Sequence, residues 1–311
     1  MSPIVLLVIY CLLILLASLA GGFAFLIIRP THQRMELAIS LVAGFILGIG
    51  LLHLLPHAAE QSGSIESVMG WLLIGFLVMF FIERFFCFHH HDVPEEPIQS
   101  GHFQNKKMNL TWAHQHDHKL TWSGAAVGLT LHSIVAGIGL AASIEADASE
   151  AMAGLAVFLV IVLHKPFDSM TLTTLMTIGG WSVKSRHVAN GLFALTVPLG
   201  AVFFFLIEKV GSSHEHGVVG AALAFATGMF LCIAMSDLLP ELQFHQHDRL
   251  KLSTALLLGL VLAWTISYFT AHNHHHEEGL HPTEQQQGHW QDGSNSKANI
   301  SKDIGSRIRM T

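Results

Sequence analysis

Long apolar runs separated by short polar segments set the pattern of this chain. A helix needs about 20 predominantly apolar residues to cross the hydrocarbon core of a bilayer. Runs near that length occupy residues 3–28, 36–57, 68–88, 122–143, 151–179, 188–207, 217–240 and 252–271. The pattern therefore predicts an all-α polytopic membrane protein with eight transmembrane helices, spans 1 to 8. The composition agrees, because 12% of the residues are charged, against about 25% in a typical soluble domain.

Two polar, histidine-rich segments divide the chain into four parts. Residues 1–88 hold spans 1–3, residues 89–121 form a His-rich loop, residues 122–271 hold spans 4–8, and residues 272–311 form a His-rich tail. The loop and the tail lack the apolar periodicity that would bury a core, so we predict the loop to be mobile and the tail to be disordered. Because neutral imidazole is a good ligand for transition metals, we expect loop capture of metal by His89, His90, His91, His114, His116 and His118.

Basic residues distinguish the two faces of the predicted bundle. Arg29 and Arg34 follow span 1, and Lys184 and Arg186 follow span 5. The loops on the other side are mainly acidic, with Lys209 as their only basic residue. Lys and Arg collect in cytoplasmic loops of membrane proteins. The charges therefore predict extracytoplasmic N- and C-termini and a cytoplasmic loop between spans 3 and 4.

A short proline motif ends two of the apolar runs. Span 2 closes on "HLLPH" (53–57) and span 7 closes on "DLLPE" (237–241). The predicted orientation places the two copies near opposite membrane faces, which indicates an inverted repeat of spans 1–3 and 6–8 around spans 4–5. Such repeats are typical of secondary transporters and place a site between the halves. Plain helix termination by Pro56 and Pro240 is the alternative.

Ionisable residues inside spans 4 and 5 are the strongest functional signal. His132 lies near the middle of span 4, and His164, Lys165 and Asp168 lie within span 5. Each such group costs roughly 2.5–3.5 kcal/mol at the centre of a membrane helix. His164 and Asp168 share a helix face at i, i+4, and with His132 they offer two nitrogens and one oxygen, a set suited to Zn²⁺ or Fe²⁺. The alternative is a structural Lys165–Asp168 ion pair beside hydrogen-bonded histidines.

A cavity is also expected beside these buried groups. Pro166 removes a backbone donor from span 5 and disturbs the helix there. Span 4 offers the small residues Ala136, Gly137 and Gly139 on the opposing side. We interpret both features as room for a bound ion.

The segments "HSIVAG" (132–137) and "HKPFD" (164–168) resemble the motifs of spans 4 and 5 in the ZIP (Zrt/Irt-like) family of divalent metal transporters. The resemblance implies eight spans, a His-rich cytoplasmic loop, extracytoplasmic termini and a homodimer. The family motifs read His-Asn-x-x-Asp/Glu-Gly and His-Glu-x-Pro-His/Glu, and they often build a two-metal centre. Here Ser133, Ala136 and Lys165 stand at motif positions. We therefore predict a single-metal site made by His132, His164 and Asp168, with the Lys165 ammonium in the place of a second metal and Ser133 as a poorer ligand that supports the site from outside the ligand set.

The functional hypothesis is transport of a divalent transition metal, Zn²⁺ foremost and Fe²⁺ or Mn²⁺ next, towards the cytosol. His53 and His57 would form an outer station, and Asp237 and Glu241 an inner one. Zinc is then a transported substrate and no cofactor is expected. The partners are metal ions, the lipid bilayer and a second copy of the chain, with no nucleic acid, and the location is the plasma membrane or a bacterial inner membrane.

Two other classes of protein remain open on the sequence. "HLLPH" fits the HxxxH pattern of a membrane metalloenzyme with histidine boxes, although the chain contains no HExxH zinc-protease motif. Ala136 and Lys165 also fit a metal sensor or scaffold that has lost transport. A measurement of metal flux across the membrane would distinguish a carrier from both the metalloenzyme and the sensor. We expect no enzymatic activity.

Overall fold

The computed structural model describes residues 2–27, 32–86, 113–148, 152–210, 215–244 and 249–277, which form helices and turns and no strand. The helices are α1 (Pro3–Ile27), α2 (His32–Ile49), α3 (Leu55–Ser62), α4 (Ile65–Phe86), α5 (Ala113–Ala146), α6 (Leu155–Ile178), α7 (Val183–Ala194), α8 (Thr196–Val210), α9 (Glu215–Phe244) and α10 (Arg249–Glu277). A π-helical turn, Gly50–Leu54, joins α2 to α3. The residues as far as Ser267 form one compact unit, and those from Tyr268 continue α10 to its end.

Eight stretches within these helices are long and apolar enough to cross a membrane. They are Pro3–Phe23, Gln33–Ser62, Ile65–Phe85, Ser123–Ala146, Leu155–Ile178, Val183–Lys209, Gly217–Ser236 and Arg249–Thr270. Large apolar side chains such as Leu12, Leu73, Phe203 and Leu258 are exposed on the outside of the bundle, as expected of a surface in contact with lipid. The predicted all-α, eight-span architecture is confirmed, and the chain is an integral multi-pass membrane protein.

Two spans are interrupted, and each interruption has a proline beside it. In span 2, Pro56 cannot donate to the helical ladder, and the backbone widens into the π-turn in which the Leu55 amide donates to the Gly50 carbonyl. In span 6, α7 ends at Ala194 and α8 begins at Thr196, two residues before Pro198. Single π-turns and broken helices occur frequently at functional sites. The sequence did not predict either break.

Helix α5 begins earlier than the apolar pattern suggests. The loop prediction ran to residue 121, whereas the helix starts at Ala113. Residues 113–121 contain no glycine or proline, so nothing in them ends a helix that continues into span 4. The rest of the loop, residues 89–112, and the tail from residue 278 lie outside the described residues, and their predicted mobility stays a prediction.

The pairing of helices agrees with the predicted inverted repeat. Span 1 packs on span 5 (α1 on α6), and span 4 packs on span 6 (α5 on α8). Span 3 packs on span 7 (α4 on α9), and glycines bring span 2 against span 8 (α2 on α10). The inverted repeat maps spans 1, 2 and 3 onto spans 6, 7 and 8, and span 4 onto span 5. It therefore relates the contact between spans 1 and 5 to the contact between spans 6 and 4. In the same way, it relates the contact between spans 3 and 7 to the contact between spans 8 and 2.

Glycines allow the paired helices to approach at backbone distance, as is common in membrane bundles. Gly137 on α5 and Gly200 on α8 each face the backbone of the other helix. Gly139 faces the Ala226 side chain of α9, at 2.9 Å from the position a Cβ would take. The cavity predicted from these small residues of span 4 is therefore wrong for Gly137 and Gly139, which serve close helix packing.

We expect Gly228→Ala to destabilise the bundle. A methyl group on Gly228 would meet the Phe76 amide nitrogen at 2.8 Å and the Leu72 carbonyl carbon at 2.9 Å, and backbone atoms cannot move aside cheaply. Overpacking of this kind costs about 1–3 kcal/mol. The measurement is the thermal unfolding midpoint in detergent. Gly70→Ala is the matched control, because a methyl group at Gly70 meets nothing within 4 Å; equal midpoints for the two variants would contradict the packing argument.

Candidate metal centre

Three predicted ligands from two helices converge inside the bundle. His132 lies on α5, and His164 and Asp168 lie one turn apart on α6. The two histidine Nε2 atoms are 3.3 Å apart, and Asp168 Oδ2 lies 3.8 Å from His132 Nε2 and 3.9 Å from His164 Nε2. The structure therefore brings together the side chains that the sequence singled out.

The spacing of these three atoms fits a small divalent ion. A triangle with sides of 3.3, 3.8 and 3.9 Å has a circumradius of about 2.1 Å, which matches the Zn–N distance of about 2.0–2.1 Å and the Zn–O distance of about 2.0–2.2 Å. An ion at that point has three protein ligands and open positions on either side. Three protein ligands with open positions can accept and release an ion more readily than a closed four-ligand site.

Hydrogen bonding prepares the His164 ring for this role. Its Nδ1 lies 2.7 Å from the carbonyl oxygen of Val160, one turn earlier on α6. A carbonyl only accepts, so Nδ1 carries the proton, and in the neutral ring the lone pair is on Nε2. The same bond fixes the ring orientation, as outer contacts of metal-binding histidines generally do. The ring thus presents an unprotonated nitrogen to the other two ligands.

The Asp168 carboxylate has a buried oxygen that needs a partner. Within the described residues, Oδ2 is buried and accepts no hydrogen bond. A buried polar atom left unsatisfied costs about 1–3 kcal/mol, and more when the group is charged. A cation between Asp168 and the two histidines would remove that cost.

Lys165 is fully buried, and its hydrogen bonds are made to residues outside the three-ligand set. Its Nζ donates to Ser133 Oγ at 2.5 Å and to Thr196 Oγ1 at 3.3 Å, and it lies 3.7 Å from the centroid of the Phe193 ring. The alternative of a Lys165–Asp168 ion pair is thus not the arrangement formed, since the lysine contacts hydroxyls and an aromatic face. Ser133 lies beside the ammonium, a contact that the sequence did not specify.

The HLLPH motif of span 2 forms a second polar cluster. The rings of His53 and His57 meet edge to face with centroids 4.6 Å apart. His57 Nδ1 lies 3.4 Å from Asp147 Oδ1 and 3.7 Å from Glu60 Oε2. Asp147, which follows α5, is buried, and the Gly154 amide donates to its other oxygen at 3.5 Å. The sequence indicated the histidines but not the contact with Asp147.

The DLLPE motif of span 7 lies near the C-terminal end of α9. Asp237 and Glu241 lie on α9, but their side chains are outside the described part of the chain, as are the side chains of the loop histidines His89, His90, His91, His114, His116 and His118. Their roles stay predictions. Directly before Asp237 in the chain, the Ser236 hydroxyl donates to Glu83 of α4 at 3.0 Å, a polar contact that the sequence did not indicate.

Asp147→Asn is expected to weaken capture of metal at the cluster of His53, His57 and Asp147, the predicted outer station. The substitution keeps the shape of the side chain and removes the negative charge next to His57, so a cation at this cluster is held less strongly while the buried site is unchanged. We expect KM for metal uptake to rise severalfold and kcat to stay within about twofold, because only the initial binding step loses energy. Initial uptake rates over a range of zinc concentrations measure both. Glu145→Gln, which removes an exposed charge from the end of α5, is the control; a KM as high as that of Asp147→Asn would assign the effect to general surface charge.

Comparison with known proteins identifies the family of this chain. The family model described as ZIP Zinc transporter matches residues 5–126 and 113–267. Zinc transporter 3 of Arabidopsis thaliana is 23% identical over 276 residues, 79% of each chain. Zinc transporter ZIP9 of Micropogonias undulatus is 26% identical over 231 residues, 71% of this chain and 68% of that one. Zinc transporter ZIP4 of Rattus norvegicus is 25% identical over 288 residues, 76% of this chain and 43% of that one. The family match covers most of the chain and includes every span, and this protein belongs to the ZIP zinc transporter family.

Proposed function

We propose that this protein carries one divalent transition-metal ion at a time across the membrane, through a site formed by His132, His164 and Asp168. The observation that carries the proposal is the convergence of these three ligand atoms, all within 4.8 Å of one another, on helices that span the membrane. Membership of a metal-transporter family supports transport of a divalent metal. The nitrogen-rich ligand set favours Zn²⁺, with Fe²⁺ and Mn²⁺ as weaker substrates.

The route runs from the extracytoplasmic face to the cytosol. His53 and His57, with Asp147 beside them, receive the ion; the buried site holds it at mid-membrane; Asp237 and Glu241 release it. The positive-inside distribution of Lys and Arg supports this direction, with both termini extracytoplasmic. We also propose a homodimer in a plasma membrane or a bacterial inner membrane.

The charges around the site favour the binding of one metal ion rather than two. Asp168 is the one carboxylate among the three ligands, and Lys165 adds a positive charge on the same helix. Its ammonium is fixed between Ser133 and Thr196, where it takes the place of a second metal as a tethered cation. Ala136, at a motif position where the family carries a carboxylate, offers no ligand to such a metal.

A carrier is favoured over a membrane metalloenzyme by where the ligands lie. The two ligand clusters are on different parts of the bundle, one at the outer end of span 2 and one in spans 4 and 5, whereas the histidine boxes of an enzyme gather at one reaction centre. The matched relatives are also named as transporters. A sensor with the same ligands would bind metal without moving it.

The test is uptake of ⁶⁵Zn into proteoliposomes that contain the full chain, with protein-free liposomes as the reference. We expect saturable uptake that unlabelled Zn²⁺ suppresses more strongly than Fe²⁺ or Mn²⁺. Zinc binding without uptake of any of the three metals would replace the carrier with a sensor. Thr227→Val, which alters a buried threonine of α9 that donates within its own helix, controls for nonspecific effects of substitution and is expected to transport normally.

A further inference from the structure

Phe193 and Thr196 lie on the two sides of the break in span 6 and both contact Lys165. Phe193 is in the last turn of α7, Thr196 is the first residue of α8, and Leu195 lies between the two helices. The Thr196 hydroxyl donates its own proton to the Phe193 carbonyl at 2.7 Å. Its oxygen lone pairs are therefore free to accept from the lysine ammonium, 3.3 Å away.

Span 4 provides the third contact in the same manner. Ser133 Oγ donates to the Leu129 carbonyl at 2.7 Å and accepts from Lys165 at 2.5 Å. Two hydroxyl oxygens and one aromatic face thus surround the ammonium, and hydroxyl and π contacts are both favourable to a desolvated cation. We call Ser133, Phe193 and Thr196 the ammonium holder.

Without such a holder the lysine has a competing partner. Lys165 and Asp168 are three residues apart on α6, a spacing at which side chains of a helix meet. A lysine side chain is long and flexible, and an ammonium paired with Asp168 would occupy the carboxylate that the metal needs. The observed contacts direct Nζ to the hydroxyls, and Asp168 Oδ2 stays turned towards the two histidines.

We propose that Phe193 and Thr196 are positioning residues, which use the break in span 6 to hold the Lys165 ammonium off Asp168 and keep the carboxylate available to the ion. The inference rests on the proposed function, because it concerns the same metal site. The break in span 6 then helps to set the metal affinity of the site. A purely structural role, in which the two residues only fill space around a buried lysine, makes a different prediction.

The experiment is a double-mutant cycle on the zinc affinity of the full-length protein in detergent. The Kd is taken from the part of the zinc binding that is lost when His164→Ala is introduced. This difference excludes loose binding of zinc by the His-rich segments. Thr196→Val removes one hydroxyl acceptor and Phe193→Leu removes the aromatic face, and each keeps an apolar side chain at its position while weakening the hold on the ammonium. We expect either to raise the Kd for zinc about tenfold, equivalent to about 1.4 kcal/mol, whereas Thr196→Ser keeps the hydroxyl and the wild-type Kd.

The background variant Lys165→Met separates positioning from packing. With no ammonium to hold, Thr196→Val and Phe193→Leu should leave the Kd of Lys165→Met unchanged, even if they lower its thermal stability. An unchanged Kd for Thr196→Val in the wild-type background would overturn the inference. So would a rise in Kd that persists in full with Lys165→Met. Absence of any zinc binding sensitive to His164→Ala in the wild type would instead overturn the proposed function, and the inference with it.

Discussion

Replacing His164 by alanine is expected to lower the zinc affinity of the buried site by more than about 100-fold, since even the loss of a residue that only supports a metal ligand costs about 10–100-fold. His164 provides one of two nitrogens and lies within 4 Å of both other ligands. Its removal leaves one imidazole and one carboxylate, too few to replace the hydration shell of the ion. Saturable ⁶⁵Zn uptake should stop for the same reason.

Competition with a zinc-binding dye measures the affinity, and proteoliposome uptake measures the flux. His187→Ala is a suitable control, because His187 is a histidine of α7 that stacks on Phe23 with ring centroids 4.9 Å apart. It should bind and transport zinc as the wild type does. Wild-type affinity in His164→Ala would show that zinc binds elsewhere in the chain, and the site in spans 4 and 5 would have to be abandoned.

Lys165→Met is expected to raise the zinc affinity of the buried site, whereas His164→Ala lowers it, and to slow transport. A unit positive charge repels a divalent ion by several kcal/mol at separations of about 6–8 Å, even at an effective dielectric constant near 20. The ammonium holder reduces this repulsion because it keeps the ammonium away from Asp168, but part of the repulsion remains. Without the charge, the Kd for zinc should fall at least tenfold, equivalent to at least about 1.4 kcal/mol, and a more tightly held ion should leave more slowly, which lowers kcat.

The structure also indicates that this variant will fold. Ser133 and Thr196 keep hydrogen bonds to the Leu129 and Phe193 carbonyls when the lysine is gone, and methionine has a similar length. Titration with zinc and initial uptake rates on the same preparation give Kd and kcat together. Weaker zinc binding by Lys165→Met would mean that the ammonium supports the ligands rather than opposing the ion.

The membrane architecture could be predicted because length and hydropathy together determine which segments span a bilayer. All eight spans follow from runs of apolar residues, and the i, i+4 spacing of His164 and Asp168 sets them on one face of α6. The meeting with His132 is a contact between helices, which periodicity does not predict; it was indicated by the cost of placing ionisable residues inside two spans and by the resemblance to a family motif. These parts of the site are encoded locally or in a short motif.

The direction of Lys165 could not be predicted, because it depends on neighbours from two other helices. A lysine three residues before an aspartate fits an ion pair equally well, and only the positions of Ser133 and Thr196 decide between the two. The nearest sequence signal was Pro198, which interrupts an apolar run shortly after a threonine. Asp147 was missed for a related reason, since its contact with His57 joins segments 90 residues apart in the numbering.

Small residues gave a misleading signal. Gly137 and Gly139 were interpreted as the lining of a cavity, whereas they allow α5 to approach α8 and α9. Close packing and an open space both require the absence of a side chain, and hydropathy does not distinguish them. The packing role becomes visible only when the neighbouring helix is in place.

Anomalous diffraction at the zinc edge from crystals of the zinc-loaded protein would test the central claim most directly. The account predicts one zinc peak at the level of spans 4 and 5, about 2.0–2.2 Å from His132 Nε2, His164 Nε2 and Asp168 Oδ2, with no second peak between Ser133 and Thr196, where the Lys165 ammonium lies. A second peak at that position, or zinc bound only outside spans 4 and 5, would contradict it.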